Sequence, residues 1–142
     1  MFRQHAILLI LAVATVSGCR DFVVSPRYIP LAGADPVWGN GQEIRLVVSD
    51  DRRDKQTVGV TDDTYRQRIR FDRSGDVVVE EAFRQGLAEC DWQVVEDAPR
   101  TCRVSLLETQ LIWGAGFGKT YRAKVAMNVA VLQDEKVLGM KR

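Results

Sequence analysis

Two long alternating segments constrain this chain more than anything else in it. From Tyr121 to Leu132, the residues Tyr121, Ala123, Val125, Met127, Val129 and Val131 alternate with Arg122, Lys124, Ala126, Asn128 and Ala130. Period-two alternation places one set on a buried sheet face and the other towards water. Just upstream, Thr101 to Trp113 reads as another long strand, apolar on both faces at Leu106-Leu107 and Leu111-Ile112. A strand of 12 or 13 residues extends roughly 40 Å at about 3.3 Å per residue. A helical bundle has no place for such a pair, so the domain is built on a sheet.

The loop joining these strands, W-G-A-G-F-G-K-T at 113–120, ends in Gly118-Lys119-Thr120 like a phosphate-binding loop. That motif requires a first glycine where Trp113 stands, and a helix N-terminus after the threonine. Tyr121 onward has the wrong period for a helix. Gly114, Gly116 and Gly118 therefore read as a hairpin loop, and no nucleotide is expected.

Other elements follow from pattern. Glu43–Ser49 reads as the first core strand, with Ile44, Leu46 and Val48 on one face. Asp50–Asp63 reads as a polar loop broken by Gly59. Thr64–Phe71 reads as a half-buried strand, with Arg66, Arg68 and Arg70 on the face opposite Tyr65, Gln67, Ile69 and Phe71. Asp76–Cys90 carries a helical stripe of Val79, Phe83, Gly86, Leu87 and Cys90, with Ser74 or Asp76 as cap. Trp92–Val95 reads as a short strand, Gln133-Asp134-Glu135 as a turn, and Lys136–Arg142 as the start of a further strand. The expected fold is α+β: an antiparallel sheet of four to five strands with one main helix on one face.

The N-terminus carries a separate message. Arg3 precedes the uncharged run Ala6–Val16, which falls short of the about 20 residues that span a bilayer. A basic start, a short apolar core and small residues make a secretory signal peptide. Val16-Ser17-Gly18-Cys19 matches the bacterial lipobox at all four positions, so residues 1–18 are expected to be removed and Cys19 acylated. Two or more acyl chains anchor stably, at about 0.8 kcal/mol per buried methylene. Arg20, not aspartate, follows the cysteine. This favours the inner leaflet of the outer membrane, facing the periplasm. Residues 19–42, with Pro26, Pro30 and Pro36, read as a lipidated cysteine and extended arm, and 43–142 as the folded domain.

Cleavage removes His5, the one histidine, and with it every Ser-His, Cys-His and His-metal arrangement. It leaves 19 basic and 19 acidic side chains, a balance that does not point to nucleic acid. Cys90 and Cys102 remain; an oxidising compartment permits a disulfide between them, and two separate thiols are the other reading. The Arg66, Arg68 and Arg70 stripe can meet an anionic lipid or glycan, or be a solvated face. Asp50, Asp51 and Asp54 could attract calcium, but Arg52 and Arg53 neutralise them and the cluster reads as solvated and self-paired. Trp38, Trp92 and Trp113 read as packing rather than sugar stacking. No carboxylate pair stands out as acid and base, so no enzyme and no cofactor is expected.

With these residues in view, the chain resembles the YajG-like family of bacterial lipoproteins. The likeness rests on Cys19 after its lipobox, Val24-Ser25-Pro26 leading an arm, Leu31, Asp35-Pro36, Val47-Val48-Ser49-Asp50 followed by Arg52, Asp54 and Gly59, then the helix and strand 104–112. Two features depart from the family: Cys90-Asp91 stands where a glycine usually follows the helix, and the family usually continues through another strand and helix. The expectation is a chain shortened at Arg142 and an open sheet edge offered to an envelope protein partner. The resemblance implies a small periplasmic domain on a lipid anchor, with no catalytic residue carried over.

Overall fold

The computed structural model describes residues 21–29, 39–62, 66–114 and 121–141. Its strands are β1 (Phe22–Val24), β2 (Glu43–Asp50), β3 (Gly59–Asp62), β4 (Arg68–Phe71), β5 (Gln93–Val94), β6 (Arg100–Gly114), β7 (Tyr121–Gln133) and β8 (Lys136–Lys141). One helix, α1 (Gly75–Glu89), stands among the described residues.

These eight strands form one mixed sheet, not an antiparallel sheet of four or five. The expectation failed for a physical reason. Sequential strands usually pair, and β6, β7 and β8 do so as an antiparallel meander. But β2 runs parallel to β6 from Arg45↔Thr101 to Asp50↔Leu106, and β3 runs parallel to β6 from Gly59↔Leu111 to Asp62↔Gly114. The 15-residue β6 is thus paired along one edge by β7 and along the other by β2 and then β3. Its apolar residues on both faces were the sign of a central strand.

The switch of neighbours divides the sheet into two halves. A register shift between Leu106 and Glu108 marks the division, and a bulge of this kind bends a strand. In the first half, Ile44, Cys102, Val104 and Leu106 are buried with Val79 of α1, and Phe83, Leu87, Trp92, Val94, Met127 and Val129 pack around them. Val79, Phe83 and Leu87 of the predicted helical stripe meet the sheet, while Gly86 lies against Tyr28 of the arm. In the second half, β1 lies parallel to β4 and β4 antiparallel to β3. Ile69 and Val58 are its fully buried side chains.

The segment expected as a loop, Asp50–Asp63, contains β3. Gly59 makes this possible: a Cβ there would run into the backbone carbonyl of Leu111. With no Cβ, the strand backbone approaches β6 closely. The expected strand over Thr64–Phe71 is shorter, Arg68–Phe71. Arg66 has φ +44°, which breaks the alternation that would have set it beside Arg68.

Helix α1 ends in a Schellman motif. The N–H of Trp92 donates to Leu87 O at 2.9 Å and that of Asp91 to Ala88 O at 3.1 Å. Asp91 occupies the left-handed position with φ +60°, where glycine is usual. At the other end, Ser74 occupies the N-cap without a side-chain capping bond. Its hydroxyl instead serves Asp76, which is the main reason the pKa of that carboxyl is lowered. The turn between β7 and β8 has φ +49° at Asp134 and +64° at Glu135, the two-residue pattern that matches strand twist.

Candidate functional site

Two members of the charged run at the end of β2, Asp50 and Arg52, have buried side chains and are structural, while Asp51, Arg53 and Asp54 are exposed. Arg52 is 4% exposed. Its Nε donates to Asp50 Oδ1 at 2.8 Å and its Nη2 to Asp50 Oδ2 at 2.7 Å, a bidentate pair. Nη1 donates to Thr109 Oγ1 at 2.8 Å and Nη2 also to Lys55 O at 3.1 Å. The guanidinium carbon lies 5.9 Å from the centre of the Phe71 ring, within cation–π range. Gly75, the first residue of α1, sits against both partners; a Cβ there would crowd Arg52 and Asp50. One side chain therefore ties β2, β4, β6 and the helix start together. Burial alone would raise the pKa of Asp50, but the hydrogen bonds from Arg52 outweigh it and lower the value. The cluster was expected to be self-paired, and Asp50 and Arg52 are; the expectation that it is solvated is corrected for these two residues.

Asp54 closes the same loop. Its Oδ1 accepts the backbone N–H groups of Thr57 at 3.0 Å and Gln56 at 2.9 Å. These bonds lower its pKa. Asp50 and Asp54 are thus committed to partners, and among the described residues no group of three metal-ligating side chains assembles.

The loop's turn leaves Lys55 and Gln56 at the rim of a cleft. The cleft has a volume of about 350 Å³ and is lined by the basic Lys55, Arg68, Arg70 and Arg73, the acidic Asp21 and Asp72, and Gln56. Arg68 and Arg70 share a strand face two residues apart. Arg70 Nε lies 3.5 Å from Asp21 Oδ2, with both side chains largely exposed. Arg73 is committed to Asp72 and Glu81, each at 2.7 Å, and donates to Pro26 O at 3.0 Å. The Glu81 hydrogen bond is the main reason its pKa is raised. The Lys55 ammonium and the Arg68 guanidinium make no side-chain hydrogen bond or ion-pair contact among the described residues.

The predicted arginine stripe is therefore divided. Arg68 and Arg70 enter this cleft, while Arg66 lines a different depression beside Arg53 and Leu107–Ile112. Sequence reasoning missed Lys55 and Arg73. Arg73 follows β4 directly, so continuing the arginine series would have found it; Lys55 gave no signal.

The arm before β2 is fastened to the same corner. Val24 O accepts the N–H of Asp72 at 2.9 Å, and Ser25 Oγ donates to Asp72 Oδ2 at 2.6 Å. That hydroxyl is the main reason the pKa of Asp72 is lowered. Tyr28 Oη donates to Glu89 Oε2 at 3.0 Å, reaching α1. Residues expected as a tether thus contribute a strand and a clasp.

Cys90 and Cys102 are two free thiols, one at the helix C-cap and the other in the core on β6. Burial raises the pKa of the Cys102 thiol. Trp92 packs on the core. Trp38, the tip 115–120, Cys19 and its lipobox lie outside the described residues; Tyr121 opens β7, so no helix follows Thr120. Among the described residues strand β8 pairs only with β7, and it exposes Val137, Leu138 and Met140, flanked by Lys136 and Lys141. No described helix is long and apolar enough to cross a membrane.

No family model matches the sequence, and no curated protein matches it. The fold is similar to that of a solved crystal structure of a Xanthomonas campestris protein described with the family model DUF330. The TM-score is 0.55 at 10% identity, over 84% of this chain and 73% of that one. At that identity the likeness concerns the fold alone.

Proposed function

We propose that this chain is a lipid-anchored protein of the bacterial cell envelope, of the YajG-like kind, that acts by binding at a membrane surface rather than by catalysis. The lipobox Val16-Ser17-Gly18-Cys19 motivates the anchor, and Arg20 after it favours the outer membrane. The observation that carries the reading is the position of β1, which begins at Phe22 as part of the sheet. Three residue steps separate Phe22 from Cys19, a reach of at most about 11 Å. A domain so closely leashed works against the bilayer, with its β1–β4 end nearest the anchor. Metabolic labelling with a fatty acid tests this: the wild type incorporates label and sediments with membranes, and Cys19→Ala does neither. Equal labelling of the two removes the anchor from the account.

A second reading is favoured by β8. Its exposed apolar residues and its single strand partner suit a protein that adds a strand. Antiparallel self-pairing would set Lys136 against Lys141, a repulsive arrangement, so the partner would be a different chain with acidic residues at those positions. Crosslinking from residues 136–141 in membranes should capture one; capture of another copy of this chain refutes this reading.

A further inference from the structure

We propose that the cleft of Lys55, Gln56, Arg68 and Arg70 binds the phosphate of an anionic phospholipid headgroup in the membrane that holds the anchor; this rests on the lipid-anchored reading above.

Three observations lead there. First, charge is left over. Asp72 and Glu81 satisfy Arg73, and Asp21 reaches Arg70 only at 3.5 Å in an exposed pair. Lys55 and Arg68 line the cleft without a carboxylate in contact, Asp54 acting on Arg68 and Asp50 and Asp76 on Lys55 only at longer range, and Gln56 adds an amide. Cationic donors that converge without a carboxylate in contact select an anion, and a phosphate can accept from several at once. Second, the cavity of about 350 Å³ stands at the small end of the roughly 300–1,000 Å³ typical of ligand sites, suited to a headgroup and not to a whole lipid. Third, the cleft lies where the anchor enters. Phe22 pairs with Ile69, so Asp21, itself in the cleft wall, lies next to Arg68. Cys19 is two residues before Asp21, a span of at most about 7 Å. Acyl chains on Cys19 would bring the rim of this cleft to headgroup level, where basic side chains gain from an anionic surface. The leash also raises the local concentration of headgroups, so weak intrinsic affinity is enough.

Arg103, exposed on β6, stands between Val47 and Ala130 in the register and does not line the cleft, which makes it a control cation.

The test is calorimetric titration of the mature lipoprotein, purified in a neutral detergent, with dihexanoyl phosphatidylglycerol, dihexanoyl phosphatidylcholine and inorganic phosphate. Phosphatidylglycerol should bind more tightly than either other probe. Lys55→Gln with Arg68→Gln should weaken it about 30-fold, at about 5-fold for each cation removed. Arg103→Gln should leave it unchanged. Both substituted side chains are exposed, and unaltered thermal unfolding of the double variant shows that it has folded; the single variants, each about 5-fold weaker, read the same effect independently. Equal affinity of the double variant and wild type overturns the proposal. Inorganic phosphate binding as tightly as phosphatidylglycerol also overturns it, since the cleft would then take free anions. The titration reads the cleft whether or not Cys19 carries lipid, so its failure and failure of the labelling experiment are distinguishable.

Discussion

Replacing Arg52 with methionine should be the most damaging single change to this domain. The side chain is 3% exposed and that of its partner Asp50 is 7% exposed. Methionine keeps much of the stem's volume and removes the guanidinium with its four side-chain bonds, two to Asp50, one to Thr109 and one to Lys55 O. What remains is a carboxylate in a site built for a cation. Breaking a buried ion pair from one side costs about 3–5 kcal/mol. On a domain of this size each kcal/mol lowers Tm by about 4 °C, so the midpoint should fall by about 12–20 °C. Urea unfolding followed by circular dichroism, with thermal melts, measures both. Two refinements identify the cause. Asp50→Leu with Arg52→Met should cost less than Arg52→Met alone, because no charge is left unpaired. The cost of Arg52→Met should also shrink below about pH 4, because a protonated Asp50 no longer needs a cation. A loss within about 0.5 kcal/mol, or a double variant equal to the sum of the singles, would refute the account of Arg52 as the tie between β2, β4, β6 and α1.

Gly59→Ala should destabilise by about 1–3 kcal/mol, because the new methyl meets the Leu111 carbonyl; urea unfolding unchanged from wild type would show that β3 does not need the close approach. Asp91→Gly should stabilise by about 0.5–1 kcal/mol, since φ +60° strains any residue with a Cβ, and a lowered Tm would contradict this. Stability should also depend on pH in a stated direction. The folded pKa values of Asp50, Asp54, Asp72 and Asp76 are lowered, so their contribution is full above the unfolded value near 3.9 and is lost as pH falls through the folded ones. The pKa of the Cys102 thiol is raised by burial, so stability falls again as pH rises above about 8.5. Unfolding midpoints that rise on acidification towards pH 3 would refute the carboxylate assignments.

Local pattern made much of this legible. The stripe residues Val79, Phe83 and Leu87 and the turn at Asp134-Glu135 record a regular period or a φ preference, and the structure places them as read; 121–132 forms the expected strand, but its burial does not alternate, since Ala123 and Val125 are exposed and Asn128 and Ala130 are half-buried. Pairing was another matter. Nothing in the order of residues states that β2 skips four elements to lie beside β6, although apolar residues on both faces of β6 showed that something would. Arg52 illustrates the same gap. A run of alternating charges looks solvated, because the Thr109 hydroxyl and the Phe71 ring that bury it come from strands far along the chain. Arg66 failed in the opposite sense: its alternation was genuine in the sequence, and one positive φ undid it in space. The cleft was legible only in part, through Arg68 and Arg70, since the turn closed by Asp54 is what places Lys55 opposite them.

The central claim is that the β1–β4 end, with its basic cleft, rests on the membrane. Hydrogen–deuterium exchange of the lipoprotein in phosphatidylglycerol vesicles, compared with phosphatidylcholine vesicles, tests it most directly. The account predicts slower exchange over residues 53–58 and 66–73 in the anionic vesicles and no change over 136–141. Unaltered exchange at the cleft, or protection confined to β8, would contradict it.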